Sequence, residues 1–149
     1  MATQRIELLR RMPIFGAIRD NILELVLSLS RTVRIGGGEF FCHEGDPGES
    51  MFVLEEGRVE ILKGKRGEER AIAQLGPGDC FGEMALMDFS PRSASIRALE
   101  DCLAIEISAS CLYRIYETDI EQFALIEMNM GREVSRRLRE ADKRLYGSE

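Results

Sequence analysis

The stretch FGEMALMDFSPRSAS, residues 81–95, places Glu83 and Arg92 on either side of a short apolar run. The run has good helix formers and no β-branched residue, which predicts a short helix at 82–88. Backbone N–H groups at the start of a helix lack internal partners and bind anions, and a glycine there lets another group approach closely. An arginine fork suits a phosphate, and a carboxylate accepts hydrogen bonds from sugar hydroxyls. The combination therefore predicts a site for a phosphate joined to a sugar.

A purely structural interpretation of the same two residues stands beside this one. Glu83 would complement the positive end of the helix dipole and would form a salt bridge with Arg92, with no ligand involved. The fold around the stretch decides between a salt bridge and the two ends of a ligand site.

The distribution of glycine indicates which elements position this stretch. Eleven of the fourteen glycines lie between positions 36 and 82, while both flanking segments carry helical periodicity. The length of the chain favours one domain, 1–149. We expect N-terminal helices at 1–30, a β-rich unit at 31–107 and C-terminal helices at 108–149.

The N-terminal segment predicts two helices. Apolar residues recur at helical spacing between positions 18 and 29, and Asp20 is a residue type that starts helices. Pro13 and Gly16 separate this helix from a shorter one at 2–11.

The middle segment alternates short β-type runs with glycine turns, which is typical of an antiparallel sandwich or barrel. The three glycines at 36–38 are interpreted as a tight corner rather than a phosphate loop, because a strand-like run follows them. The predicted strands are 31–35, 39–43, 50–56, 58–63, 70–75, 93–99 and 102–107.

The C-terminal segment predicts two further helices. Ser108 can cap the first, and the second runs from Asp119 to about Leu145. At 1.5 Å per residue this helix is roughly 40 Å long, which is more than a small β unit needs. It carries an apolar seam, which we expect to form a homodimer rather than to pack on the β unit. The seam consists of Val134, Leu138, Ala141 and Leu145.

Charge and hydropathy exclude several kinds of partner. The formal net charge is −6, so a global basic field for nucleic acid is absent. The arginine-rich segment 131–145 is interpreted as a solvated helix face laced with ion pairs. No apolar run reaches the ~18–20 residues of a membrane span, and the N-terminus lacks the apolar core of a secretory signal. We therefore expect a cytoplasmic protein without nucleic-acid or membrane partners.

The four cysteines, at 42, 80, 102 and 111, lack the clustering that a structural zinc site requires, and His43 is the one histidine. We expect neither a metal site nor disulfide bonds. No pairing of a nucleophile with a base is evident, so we expect no enzymatic activity.

Residues 81–96, FGEMALMDFSPRSASI, resemble the phosphate-binding cassette of cyclic nucleotide-binding domains, in which F-G-E-x-A-L is followed by a variable gap and P-R-x-A-x-V. Ile96 replaces the usual valine conservatively. Weaker likenesses extend over nearly the whole chain. EGDPGESMFVLEEGRVEI resembles the strand-turn-strand unit upstream of the cassette, and LLRRMPIFGAIRDNILELVLSLS resembles the N-terminal helices. MGREVSRRLREADKRL resembles the long C-terminal helix of bacterial regulators of the catabolite activator type.

The resemblance implies an α+β, mainly β fold. This is an antiparallel β-jelly-roll (double-stranded β-helix) barrel with N-terminal helices and a long C-terminal helix. The phosphate-binding cassette at 81–95 would lie within the β unit.

The resemblance also implies a role for each site residue. Glu83 would bind the ribose 2′-hydroxyl, with Gly82 near the ribose, and Arg92 would bind the exocyclic oxygens of the cyclic phosphate. Backbone N–H groups of Met84 and Ala85 would complete the phosphate cradle. The other predicted site residues are Phe81 in the cassette, Ser93 and Ala94 beside the phosphate and base, and Ile61, Ile72 and Ala73 on the strands of the pocket wall.

Recognition of the base is where this chain departs from that family. In regulators of the catabolite activator type, hydroxyl side chains on the long helix contact the base, whereas Ala141 and Asp142 stand at those positions. Asp142 could accept a hydrogen bond from an amino group, or it could face solvent. The candidates for capping the base, each of which could also face solvent, are Arg137, Arg139, Arg144 and Tyr146.

The resemblance predicts a cyclic nucleotide-binding regulatory module that favours cAMP over cGMP and signals through its C-terminal helix to an unidentified protein effector. No cofactor is expected beyond this ligand. The alternative is a ligand-independent protein-interaction or dimerisation module with the same fold. Regulators of this type continue into a helix-turn-helix domain, whereas this sequence stops at YGSE, so we expect a stand-alone module or a part of something larger.

Overall fold

The computed structural model describes residues 2–88 and 90–146. Of the predicted ranges, residue 1, Phe89 in the cassette and residues 147–149 of the C-terminal segment lie outside the described residues. Within the described ranges the order is the predicted one: helices, a β unit, then helices.

Three helical segments precede the β unit: α1 (Ala2–Arg10), a 3-10 helix (Pro13–Phe15) and α2 (Asp20–Leu29). Pro13 stands at the start of the 3-10 helix, where its missing N–H is not needed. The predicted helical spacing in α2 is confirmed, since one face of it is buried.

Eight strands are present in the described part of the chain. All seven predicted strands are confirmed within one or two residues at their ends. The additional strand, β6, has two residues, which is too short for any alternation to reveal it. The strands are β1 (Arg31–Ile35), β2 (Phe40–Cys42), β3 (Ser50–Glu56), β4 (Val59–Lys63), β5 (Arg70–Leu75), β6 (Cys80–Phe81), β7 (Ser95–Ala98) and β8 (Cys102–Ser108).

The strands form two antiparallel sheets, with orders β1-β8-β3-β6 and β2-β7-β4-β5. Side chains from both sheets share one core, in which the rings of Phe41, Phe52 and Phe81 pack with centroids 5.1–5.3 Å apart. The jelly-roll prediction is confirmed with one correction: the two sheets are not closed into a hydrogen-bonded barrel. The two-residue β6, at one sheet edge, offers little backbone for further pairing.

Strand β3, SMFVLEE, is almost continuously apolar because both of its faces are buried. Successive side chains of a strand point to opposite faces of the sheet. Phe52 and Leu54 enter the core between the sheets, whereas Met51 and Val53 enter a second core that the helices cover. Because both faces of β3 are buried, the polar alternation of a half-exposed strand is missing.

Helices α3 (Glu83–Asp88), α4 (Ala109–Thr118) and α5 (Ile120–Tyr146) complete the fold. The predicted cap is confirmed, because the Ser108 hydroxyl accepts a hydrogen bond from the Cys111 N–H at 3.3 Å. Every helix within the described ranges is too short or too polar to cross a membrane.

Two buried amide side chains join the N-terminal part of α5 to the N-terminal segment of the chain. Asn129 Nδ2 donates to the carbonyl oxygens of Ile14 (3.2 Å) and Gly16 (3.0 Å). Gln122 Oε1 accepts from the Arg19 N–H at 2.8 Å. These bonds satisfy backbone groups of a segment that has little regular structure of its own.

Replacing Asn129 with alanine should lower the free energy of unfolding by about 1–3 kcal/mol, because two buried carbonyl groups lose their donor. The matched control is Met128→Ala, since Met128 is the exposed neighbour on the same helix. We expect the control to change stability by less than about 0.5 kcal/mol. Urea unfolding followed by circular dichroism measures both, and equal stability of the two variants would contradict the assigned role of Asn129.

Candidate functional site

Gly82 makes the sharp connection between β6 and α3. Its φ is 85°, in the left-handed region that favours glycine. A Cβ at this position would lie 2.7 Å from Arg92 Nη1 and 3.2 Å from the Ser50 carbonyl oxygen. Glycine therefore serves both the turn and the close approach of Arg92.

The Arg92 side chain is almost fully buried, with 8% of its surface exposed. Its Nη1 donates to the Ser50 carbonyl at 2.8 Å, and its Nη2 contacts Ser50 Oγ at 3.3 Å. The guanidinium carbon lies 5.7 Å from the centroid of the Phe52 ring, which adds a cation–π contact. These contacts with Ser50 and Phe52 fix the position of the guanidinium group.

The buried Nε of Arg92 has no hydrogen-bond partner. Among the residues that the structure describes, no other buried side-chain nitrogen or oxygen atom lacks one. A buried donor without an acceptor costs free energy, and native proteins rarely leave one. An anion bound at Arg92 would supply the missing acceptor.

Gly48 makes room for this side chain. A Cβ at position 48 would lie 2.2 Å from Arg92 Nε and 2.5 Å from its Cζ, so any other residue would displace the guanidinium. The loop between β2 and β3, which contains Gly48, is also joined to Arg92 through the backbone. The Arg92 N–H donates to the Asp46 carbonyl at 2.8 Å. Nothing in the sequence distinguishes Gly48, because in EGDPGE it resembles an ordinary turn glycine.

Glu106 supports Arg92 through the Ser50 hydroxyl, which lies between them. The Ser50 hydroxyl donates to Glu106 Oε2 at 2.7 Å. Burial opposes ionisation of Glu106, but hydrogen bonds from Arg31 and Ser50 outweigh it and lower the pKa of the carboxyl group. Glu106 is therefore a carboxylate that balances part of the buried positive charge.

Glu83 is even more deeply buried, with 3% of its surface exposed. Its Oε2 accepts a close hydrogen bond from Nη1 of Arg137, on α5. The salt bridge between Glu83 and Arg92 that the sequence left open is thus replaced by two separate sets of partners. Glu83 pairs with the long helix, and Arg92 with Ser50.

Arg137 belongs to a short ladder of charges along α5. Its Nε lies 3.4 Å from Glu133 Oε2, and Glu133 also pairs with Arg136 at 2.6 Å. The hydrogen bond from Arg136, with the charge of Arg137, lowers the pKa of Glu133 despite partial burial. Burial alone would lower the pKa of Arg137, but neighbouring charge, led by that of Glu83, raises it on balance. Each member of the ladder therefore stays ionised.

Arg92, Glu83 and the three charged residues of α5 line one cavity of about 500 Å³. This lies within the ~300–1,000 Å³ range of small-ligand pockets. The structure brings together every predicted site residue except Ile72. The predicted residues that line the cavity are Ile61, Ala73, Phe81, Gly82, Glu83, Met84, Ala85, Arg92, Ser93 and Ala94.

Ile72 requires a correction. It is 54% exposed and does not line the cavity, although its neighbour Ala73 does. Ala73 pairs with Ile61 across the β4–β5 ladder, and both face the cavity. Because alternate residues of a strand face opposite ways, Ile72 points to the other side of the sheet.

Most of the α5 residues that the sequence suggested as contacts for the nucleotide base do not line the cavity. Arg137 and Arg144 line it, whereas Ala141, Asp142, Arg139 and Tyr146 do not. Sequence reasoning missed the contributions of Glu133, Arg136 and Glu140 because the rotation of the helix about its axis is set by packing. The N-terminal segment also contributes, through Met12 and Pro13.

The described residues contain no group of three or more His, Cys, Asp or Glu side chains placed to hold a metal ion. The four cysteines are free. Cys80 lines the cavity beneath Arg137, and burial raises the pKa of its thiol to about 12, so it is neutral.

Comparison with known proteins agrees with this geometry. A family model described as "Cyclic nucleotide-binding domain" matches residues 32–119. The "Cyclic AMP receptor protein" of Thermus thermophilus is 36% identical over 135 residues, which cover 89% of this chain and 60% of that protein.

Two solved structures share the fold. A cyclic nucleotide-binding domain from Methylobacillus flagellatus superposes with a TM-score of 0.84 at 23% identity, covering 97% of this chain and 82% of that one. The regulatory domain of Toxoplasma gondii PKA, solved with cAMP, superposes with a TM-score of 0.71 at 29% identity, covering 76% of this chain and 43% of that one.

The chain spans 60% of the length of the Thermus thermophilus protein. The family match covers more than half of the chain and includes the whole cassette around Glu83 and Arg92. This chain belongs to the cyclic nucleotide-binding domain family.

Proposed function

We propose that this protein is a regulatory module that binds cAMP in preference to cGMP and transmits binding through α5. One observation carries the proposal: Arg92 is buried in the same cavity as Glu83, and its Nε lacks an acceptor. A cyclic nucleotide has an anionic phosphodiester fused to a ribose with a free 2′-hydroxyl. It would supply an acceptor for Arg92 and a donor for Glu83 from one rigid ring system.

Arg92 would bind the exocyclic phosphate oxygens. Its Nη1 and Nη2 are held by Ser50, and its Nε has no acceptor of its own. The expected contribution of the Ala85 N–H is shared, because this group already donates to the Gly82 carbonyl at 3.2 Å. The arginine would therefore carry most of the phosphate affinity.

Glu83 would accept a hydrogen bond from the ribose 2′-hydroxyl while keeping Arg137 as a partner. A carboxylate has two oxygens and several acceptor positions, so one oxygen can serve the sugar and the other the guanidinium. Oε2 is taken by Arg137, which supports Oε1 as the sugar acceptor.

The preference for cAMP is supported by relatives rather than by the cassette. The Thermus thermophilus relative is named for cyclic AMP, and the Toxoplasma gondii domain was solved with cAMP. Ser93, next to the phosphate arginine, is compatible with either base.

Replacing Arg92 with alanine should weaken cyclic nucleotide binding by about 10- to 100-fold, because a charge-assisted hydrogen bond to the phosphate is worth roughly 1.5–3 kcal/mol. Calorimetric titration with cAMP and with cGMP measures the loss. Arg66→Ala, which removes an exposed arginine from the β4–β5 turn, is the control and should bind as the wild type does.

Arg92→Lys keeps the charge but loses the planar fork, so it should retain only part of the affinity. Wild-type protein that binds neither nucleotide would reject the sensor function. Tighter binding of cGMP than of cAMP would reject the proposed preference, and full affinity in Arg92→Ala would reject the role of the arginine.

Transmission through α5 is supported by the contact between Glu83 and Arg137. A ligand shifts a conformational equilibrium only if it interacts differently with the two states. Because the proposed ribose acceptor is also the partner of Arg137, nucleotide binding alters the charge and hydrogen bonding that hold this part of α5. The position of the helix is thereby coupled to occupancy of the site.

Arg137→Ala should separate binding from this response. We expect cAMP to change hydrogen–deuterium exchange over residues 130–146 in the wild type. The variant should lose most of that change while its affinity falls by less than about tenfold, or roughly 1.4 kcal/mol. Arg139→Ala, at an exposed position outside the cavity, is the control. A wild-type exchange response in Arg137→Ala would contradict the coupling.

Dimerisation through α5 is supported by the exposure of its apolar seam. Leu138 is 67% exposed and Leu145 is 76% exposed, on a helix whose cavity-facing stripe is charged. Exposed leucines at coiled-coil spacing favour pairing with a second copy of the same helix.

Leu138→Glu should convert a dimer into a monomer, because two like charges would meet across the seam. Light scattering coupled to size-exclusion chromatography measures the mass. Met128→Glu places the same charge at another exposed apolar position of α5, away from the seam, and should leave the dimer intact. A monomeric wild type would contradict the dimer.

A further inference from the structure

Arg92 stands at one end of a row of charges that leads away from the cavity. The Ser50 hydroxyl lies between Arg92 and Glu106, 3.3 Å from Nη2 of the arginine and 2.7 Å from Oε2 of the carboxylate. On the far side, Arg31 Nη2 donates to the other oxygen of Glu106 at 2.6 Å. The row therefore alternates in charge: Arg31 is positive, Glu106 is negative and Arg92 is positive.

Three adjacent strands hold this row in register. Glu106 of β8 pairs with Arg31 of β1 on one side and with Phe52 of β3 on the other. Ser50 and Phe52 are two positions apart on β3, so their side chains share the face of the sheet on which both contact Arg92. Neither Ser50 nor Glu106 lines the cavity, so neither would touch a ligand there.

Glu106 carries a full negative charge beside Arg92. Burial raises the pKa of its carboxyl group, but hydrogen bonds from Arg31 and Ser50, with the positive charges of Arg31 and Arg92, lower that pKa on balance. The Arg31 side chain is 77% exposed and its charge is screened by water, whereas the Glu106 side chain is only 20% exposed. The field that reaches Arg92 from this side is therefore mainly that of the carboxylate.

A phosphodiester bound at Arg92 would add a second negative charge to the other end of the row. The nearest charge, Arg92, attracts it, and the next one, Glu106, repels it. The most distant charge, Arg31, attracts it weakly because water screens the interaction. Glu106 and the phosphate thus compete to neutralise one guanidinium.

We propose that Glu106 is a resident counter-charge that lowers the affinity of Arg92 for an anionic ligand, and that Arg31 limits this effect. The inference rests on the proposed function, because it requires an anionic nucleotide at Arg92. The carboxylate stabilises a buried cation before the ligand binds, and part of that stabilisation is lost to repulsion when the phosphate arrives. Glu106 therefore sets the affinity through Arg92 without contacting the ligand.

Glu106→Gln should bind cAMP about 3- to 10-fold more tightly than the wild type, because the repulsion of the phosphate is removed. The glutamine side chain keeps an oxygen that can accept from the Ser50 hydroxyl. The Ser50 carbonyl and the Phe52 ring still hold the guanidinium in place. Affinity for cGMP should rise by the same factor, since the two nucleotides carry the same phosphate. Calorimetric titration measures both.

Arg31→Gln breaks the same ion pair but leaves the carboxylate charge with less compensation. It should bind both nucleotides about 2- to 3-fold more weakly than the wild type. A role confined to joining β1 and β8 would change affinity in the same direction in both variants, so opposite directions identify an effect of charge. The double variant, Arg31→Gln with Glu106→Gln, keeps the net charge of the wild type and should still bind more tightly than it does.

The matched controls are Arg5→Gln and Glu55→Gln. They make the same charge changes in another ion pair, in which Arg5 of α1 lies 2.8 Å from Glu55 of β3. Glu55 is five positions from Ser50, or about 17 Å along the strand, which exceeds the screening length at physiological salt. Both controls should bind each nucleotide within about 1.5-fold of the wild type. Thermal unfolding should show that all four single variants are folded, with melting temperatures within about 5 °C of the wild type.

The outcomes separate the two proposals. Wild-type protein that binds neither nucleotide overturns the proposed function together with this inference. If the wild type binds and Arg92→Ala loses affinity, the function stands. Unchanged or weaker binding by folded Glu106→Gln then overturns the assignment of Glu106. A gain of affinity in Arg31→Gln, or an equal gain in Glu55→Gln, overturns it as well.

Discussion

The burial of Arg92 is the constraint on which the rest of the site depends. A guanidinium removed from water costs several kcal/mol unless charge and hydrogen bonds compensate. The fold supplies the Ser50 carbonyl and hydroxyl, the Phe52 ring and, through Ser50, the charge of Glu106. It also leaves Nε without an acceptor. The compensation is therefore incomplete, and an anion that completes it gains affinity at this point.

At the cavity, the β unit and α5 meet through charged side chains rather than through apolar packing. Glu83, buried at the start of α3, has Arg137 of the long helix as its partner. Closer to the N-terminus of the same helix, Asn129 and Gln122 form hydrogen bonds that join α5 to the N-terminal segment. Helix α5 is therefore held to the rest of the fold by amide hydrogen bonds near its N-terminus and by an ion pair at Arg137.

Helix α5 presents two chemically different faces. The charged stripe through Arg137 and Glu140 lines the cavity, and the apolar seam through Leu138 and Leu145 is exposed about 100° away. Both faces belong to one continuous helix, so a displacement of the charged face also displaces the apolar seam.

The sequence by itself determined the three-part organisation, seven of the eight strands, the cap at Ser108 and the cassette, because periodicity, glycine turns and residue order are local properties. It also predicted that Glu83 and Arg92 would lie close together, and both line one cavity. Only the tertiary structure decided the partners of those two residues, the need for Gly48, the outward direction of Ile72 and the choice of cavity-lining residues on α5. These depend on strand facing, on the rotation of a helix about its axis and on contacts between residues some forty to fifty positions apart, and no local pattern encodes them.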